Sequence, residues 1–424
     1  MSLLRFFYTL LLTVLWPAAL LLLWLKGRKN PAWRQRLSER LGWIQAPVRP
    51  QSVWIHAASV GEVLALVPLV RAFERQYPQV PLYITTFTPT GSEQVRRLFP
   101  QHGHSYLPLD LPWFMQLFIR RLRPSVLVII ERELWPNMLA QCHKRGIPML
   151  LANARMSEKS ARSYQRLPSL VATMFQQLTL VAVQDKQDGQ RYLELGLNEQ
   201  KLEVTGSMKF DVEIDAQVRP QGLALREQWG SERPVLALAS SHADEDERLL
   251  ALLPQLLQQL PDLVLLLVPR HPERFEAVYQ AARQAGFITQ RRSQGVASKQ
   301  TQVYLADTLG EMLRLLAASD LVLMGGSLIT RGGHNPIEPA ALGKAVLIGP
   351  HYFNFTDIVQ RLERAGALQV VSDQQELLLQ TLLRLLQDSN KRVLMGQAGL
   401  AVVKQNRGAV KSLVEHSLAL GKHL

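Results

Sequence analysis

The sequence predicts an α/β protein: two doubly wound domains, each a parallel sheet with helices on both faces, behind one N-terminal apolar helix. Three observations carry that prediction. From residue 52 onward, short apolar runs alternate with amphipathic stretches, the pattern of βαβ units. The alternation lapses into a polar stretch over 211–233 and then resumes, which puts a join between two units near 211–230. Residues 3–25 are apolar apart from Arg5. A chain of 424 residues exceeds one ordinary domain, and 47% hydrophobic with 20% charged residues excludes a mainly disordered protein.

The first element is LLRFFYTLLLTVLWPAALLLLWL, 23 residues. At about 1.5 Å per residue it spans about 34 Å, enough for a hydrocarbon core of about 30 Å. It is too long for the apolar part of a signal peptide, and no small-x-small cleavage site follows. Lys26, Arg28, Lys29, Arg34, Arg36 and Arg40, offset only by Glu39, give a net +5 over residues 26–40. This predicts a membrane anchor over 1–25 and a basic juxtamembrane segment over 26–51. Such a cluster holds the bulk of the chain on the cytoplasmic side and draws it to anionic lipids. A helix lying in the interface is the alternative.

Strands follow at SVWIHAA (52–58), PLYITTF (81–87), SVLVII (125–130), IPMLLA (147–152), LTLVAVQ (178–184) and KLEVTG (201–206). After the lapse come PVLALAS (234–240), LVLLLVP (263–269), FIT (287–289), QVYLA (302–306), LVLMGG (321–326) and AVLIGP (345–350). The domains are accordingly read as 52–215 and 216–424. The single cysteine, Cys142, excludes an intramolecular disulfide framework, and the ten histidines show no metal-ligand spacing. The net charge of +13 leaves nucleic acid, a membrane surface or an acidic substrate as partners. Basic residues spread without aromatic interleaving argue against nucleic acid.

In doubly wound folds ligands bind outside the carboxyl ends of strands, so the loops there matter most. His56 to Val63 reads HAASVGEV and puts Glu62 at a helix start, either as a first-turn acid stabilising the dipole or as a general base. IIERELWPN presents Glu131 and Glu133, two carboxylates at i, i+2 that would share a strand face and raise one another's pKa, or else pair with arginine. VTGSMKFD presents Lys209, able to neutralise an anionic ligand or simply a solvated charge.

In the second half, Pro269-Arg270 end a strand, and Gly310, Glu311 and Met312 stand at another strand-to-helix junction. The most specific stretch is Met324 to Pro350. There Gly332-Gly333-His334-Asn335-Pro336 opens a helix whose amides and dipole can hold a phosphate. Ile337 follows, and Glu338 stands in its first turn, placed to accept from ribose hydroxyls. The acidic run Asp244 to Glu247 reads as service to a helix dipole. There is no G-x-G-x-x-G opening the first strand and no G-x-x-x-x-G-K-[ST], which counts against dinucleotide dehydrogenases and P-loop NTPases.

Together these strings resemble the Kdo transferases, which add 3-deoxy-manno-octulosonic acid to the lipid A precursor of Gram-negative bacteria. The resemblance rests on ASVGE, TPTGSE (88–93), ERELWPN, ANAR (152–155), TGSMKFD, VPRHPER and GGSLITRGGHNPIEPA, in that order. It runs from the anchor to TDIVQRL (356–362) and continues more weakly to the C-terminus. It implies two facing Rossmann-like domains in the GT-B arrangement, an acceptor domain over 52–215 and a CMP-sugar donor domain over 216–424. It further implies an inverting transfer of Kdo from CMP-Kdo to lipid IVA at the cytoplasmic side of the cell inner membrane, without a metal or other cofactor. Carried over by position, Glu62 is the general base, and Glu131 and Lys209 support the transition state. Pro269, Arg270, Gly310, Glu311, Met312, Asn335, Pro336, Ile337 and Glu338 hold CMP. SSHADED stands where STHEGEE-like strings are usual, and Arg132 stands where Thr is common. The rival readings are another GT-B enzyme using a UDP-sugar, a sugar-nucleotide epimerase of similar fold, or a membrane-tethered scaffold without turnover.

Overall fold

The computed structural model describes residues 3–28, 30–45, 49–295 and 297–422. Lys29 of the basic cluster and residues 46–48 of the juxtamembrane segment lie outside them. The chain divides into two compact units, Met1–Asp211 with Asn406–Leu424, and Val212–Gln405.

The first unit is built on seven parallel strands: β1 (Val53–His56), β2 (Leu82–Thr86), β3 (Gly103–Tyr106), β4 (Val126–Ile130), β5 (Met149–Ala154), β6 (Leu180–Val183) and β7 (Leu202–Val204). Their order is β3-β2-β1-β4-β5-β6-β7. Helices cover both faces, so β4 is buried throughout and reads as an unbroken apolar run. Successive side chains still part: Leu127 and Ile129 join the core that holds Trp54 and Phe118, while Val126, Val128 and Ile130 join the core of Ile55 and Phe73. Strand order reverses between β1 and β4, which opens a crevice at their carboxyl ends.

The second unit repeats the plan with β8 (Val235–Ser241), β9 (Val264–Pro269), β10 (Thr289–Arg291), β11 (Val303–Leu305), β12 (Leu321–Met324), β13 (Ala345–Ile348) and β14 (Leu368–Val370). The order β10-β11-β9-β8-β12-β13-β14 reverses between β8 and β12. Both units are thus Rossmann-like α/β units, and one N-terminal apolar helix precedes the first.

Several elements depart from the sequence reading. The short edge strands β3 (GHSY) and β14 (LQV) carry no apolar run to announce them. The polar stretch near 211–233 contains a 12-residue helix, Val218–Trp229. Its packing surface is narrow: Gly222 lies where a Cβ would come within 2.5 Å of the Ala317 methyl, and Trp229 packs edge-on to Tyr304 at 4.9 Å. The C-terminal helix Ala409–Gly421 returns to the first unit, so the second unit does not extend to 424 as the sequence reading had it. Val410, Leu413, Val414 and Leu418 join the first unit's core, and the Asp211 carboxylate accepts from the amides of Gly408 and Val410, each at 2.7 Å.

Leu3–Lys26 forms one 24-residue helix, the only one among the described residues long and apolar enough to cross a membrane. Most of its apolar side chains are exposed, including Leu10, Leu11, Val14 and Leu22. One flank touches the first unit: the Tyr8 hydroxyl donates to Asp110 at 3.0 Å, and Trp16 meets Phe114 edge-on. The basic segment after it is not wholly turned outward. Arg36 donates to Glu39, Ser92 and the His104 carbonyl. Arg40 is 2% exposed and stacks on Phe87 and Tyr106. That leaves Lys26, Arg28 and Arg34 of the described cluster nearest the apolar helix.

Candidate functional site

In the first unit, β1 ends at His56, and Ser59 caps the helix Val60–Ala65. His56 is fully buried against Thr85, and burial lowers its pKa to about 4, so a neutral imidazole supports the turn. Glu62 sits at the third helical position, with Oε2 accepting from the Ala58 amide at 2.8 Å and Oε1 from the Ser59 hydroxyl at 2.7 Å. Each oxygen keeps a further lone pair. Only 9% of the residue is exposed, and burial raises its pKa to about 7, against the opposing pull of those two hydrogen bonds. Glu133 and Glu131 add smaller upward contributions, which places both near Glu62.

Glu131 does not extend the strand. β4 stops at Ile130, and Glu131 turns left-handed at φ 59°, so the two glutamates do not share a strand face as the i, i+2 spacing predicted. A non-glycine residue there is uncommon and stores strain, a pattern concentrated at functional sites. Glu133 accepts from the Trp135 indole at 3.1 Å, and Trp135 stacks on Phe87 at 5.8 Å. Its pKa is raised chiefly by burial, with Glu131 a lesser cause. The helix that follows starts on Asp110, whose carboxylate accepts from the amides of Asn137 and Met138.

Lys209 lies in a 3₁₀ turn, Met208–Phe210, after β7. The Met208 amide donates to Asn153 Oδ1 at 3.1 Å. Asn153 itself, near the end of β5, is fully buried and left-handed at φ 52°.

In the second unit the carboxyl ends of β8, β9, β11 and β12 form one edge. Ser240 turns left-handed at φ 58°, and Gly325 passes so close that a Cβ would lie 2.5 Å from the Ser240 carbonyl oxygen. Glu245, fully buried, accepts from the amides of His242, Gly326, Ser327 and Leu328 at 2.7–3.1 Å. The acidic run therefore does more than serve a dipole: one member clamps the glycine loop after β12. Only the S/T/H-x-x-E spacing of a capping box could have signalled it.

The His242 and His334 rings stack at 5.5 Å with their Nε2 atoms 3.2 Å apart, so one donates and the other accepts. Burial, with His242, Arg270 and His271, lowers the His334 pKa to about 4. Burial raises Glu338, which Arg270 opposes, so Pro269-Arg270 and His334 to Glu338 share one patch. The helix there is only five residues, Ile337–Ala341, and Asn335 Oδ1 already accepts from the Ile337 amide. The helix dipole is correspondingly smaller than the sequence suggested. After β11, Gly310 is left-handed at φ 81°, and the Glu311 carboxylate is engaged by Arg292, Arg314 and Thr308. Among the described residues no group of three or more His, Cys, Asp or Glu could hold a metal ion.

A family model described as 3-deoxy-D-manno-octulosonic-acid transferase matches residues 35–212. The 3-deoxy-D-manno-octulosonic acid transferase of Haemophilus influenzae is 41% identical over 415 residues, 97% of each chain. That of Bordetella pertussis is 35% identical over 424 residues, covering 96% of this chain and 97% of its own. Among solved structures, Acinetobacter baumannii MurG aligns with a TM-score of 0.55 over 87% of this chain and 100% of its own. At 14% identity that likeness speaks to the fold alone.

Proposed function

The chain belongs to the 3-deoxy-D-manno-octulosonic acid (Kdo) transferases and is a glycosyltransferase, and from that premise we propose that it moves Kdo from CMP-Kdo to the lipid A precursor lipid IVA with inversion at the anomeric carbon, Glu62 acting as general base. In this reading Glu62 takes the proton of the acceptor hydroxyl as that oxygen bonds to the anomeric carbon. The bond from that carbon to the CMP phosphate breaks in the same displacement, and CMP leaves with the electron pair. The observation that carries it is the Glu62 carboxylate: buried at the β1/β4 switch point, oriented by Ala58 and Ser59, with a pKa raised to about 7. A proton acceptor is most effective when poised near the working pH.

Lys209 offsets the sugar's own carboxylate, and Glu131 stands beside the base. Arg270 meets the departing phosphate, with backbone amides around Asn335 to Ile337 and Gly310 to Met312 completing the nucleotide contacts and Glu338 accepting from ribose. The apolar helix, followed by Lys26, Arg28 and Arg34, supports placing both units on the cytoplasmic side of the inner membrane among anionic lipids. The test is Glu62→Ala, assayed with labelled CMP-Kdo and lipid IVA. Transfer is expected to vanish while CMP-Kdo binding survives; near-wild-type turnover would remove Glu62 as the base.

A further inference from the structure

We infer that Asn153 is a positioning residue of this site, fixing the turn that presents Lys209; the inference rests on the role proposed above for that lysine. Asn153 lies inside β5, where pairing with β6 shifts register between Leu151 and Ala154. At φ 52° its backbone leaves the extended region, which asparagine tolerates better than most residues. The departure coincides with a contact to a segment 55 residues away: Oδ1 accepts from the Met208 amide at 3.1 Å. Its carbonyl accepts from the Gln184 side chain at 3.0 Å, tying the bulge to the end of β6. Its Nδ2 is buried with no hydrogen-bond partner among the described residues, an arrangement a core shaped for stability alone would avoid.

The turn is also held at its far end. Met208 is fully buried, and Asp211, directly after Phe210, accepts from Gly408 and Val410. Lys209 thus stands between two polar clamps, one from β5 and one from the returning C-terminal segment. A lysine has four rotatable side-chain bonds, so only a fixed Cα gives its ammonium a reproducible place. Asparagine meets both demands at 153, an acceptor oxygen and a left-handed backbone, without adding a buried charge.

Asn153→Gly separates these demands, since glycine keeps the left-handed backbone and removes Oδ1. In the full chain in detergent, kcat for transfer from CMP-Kdo is expected to fall on the order of 10- to 100-fold, with the donor KM nearly unchanged. In a Lys209→Ala background, with residual product read over long incubation, the same substitution is expected to cause no further loss. Hydrogen exchange at the Met208 amide should accelerate. Equal losses in both backgrounds, or an undiminished kcat, would overturn the inference while leaving the Lys209 role standing. A fully active Lys209→Ala would instead remove that role and the inference with it. Asn153→Asp retains an acceptor oxygen and provides the check if the glycine variant does not fold: protection of the Met208 amide supports the clamp, and its loss refutes it.

Discussion

Replacing Glu62 by glutamine should make the protein inactive and, at alkaline pH, more stable. The native pKa is raised from 4.5 to about 7, chiefly by burial. Between those values the folded state binds more protons than the unfolded state, so this group's contribution falls as pH rises through the window and is fully unfavourable above about 7. A shift of that size corresponds to about 3 kcal/mol at pH 8. Glutamine cannot ionise and escapes that penalty. Its amide keeps one acceptor for Ala58 or Ser59 but not both, a loss of about 1 kcal/mol. The net expectation is a gain of about 2 kcal/mol at pH 8 and none, or a slight loss, at pH 5. Thermal unfolding of wild type and Glu62→Gln at both pH values reads the difference, as a Tm increase of several degrees confined to pH 8. Wild-type kcat/KM should rise about tenfold per pH unit up to about pH 7 and then level. A Tm difference independent of pH, or appreciable transfer by the glutamine variant, would refute the reasoning.

Other expectations concern the second unit. Glu338→Ala should raise the donor KM with little change in kcat, as measured by initial rates across CMP-Kdo concentrations; lost kcat at an unchanged KM would contradict the ribose contact. Glu245→Ala strands three buried loop amides, those of Gly326, Ser327 and Leu328. At about 1–3 kcal/mol for each unsatisfied group, it should destabilise the protein by several kcal/mol and abolish CMP binding, read by denaturant unfolding and calorimetric titration. An unaltered unfolding midpoint would show the clamp to be dispensable.

Much of the local geometry of the candidate site was legible because its signals are local. Glu62 three residues after Ser59 is a capping arrangement readable from four consecutive positions, and the structure keeps it. Lys209 and Arg270 were nominated because they follow strands, and the structure keeps them after β7 and β9. The left-handed turn at Glu131 was not legible: the spacing implied a continuing strand, and only the end of β4 against its neighbours bends the chain there. Glu245 looked like one acid among several at a helix start. Its partners lie 81 to 83 residues away, beyond any local pattern.

The sequence by itself determined the α/β class, the presence of two units, the apolar helix and most strands, because hydrophobic periodicity is a property of neighbouring residues. It also marked which loops follow strands, the places where doubly wound folds meet their ligands. Tertiary structure alone decided how those loops are held. Strand order set the two switch points, the C-terminal helix returned to the first unit to fill its core, and Asn153 and Glu245 reached across the sheets to backbone amides. Those decisions depend on which buried donors must find acceptors once the sheets have formed, a requirement that arises only when distant segments are packed together.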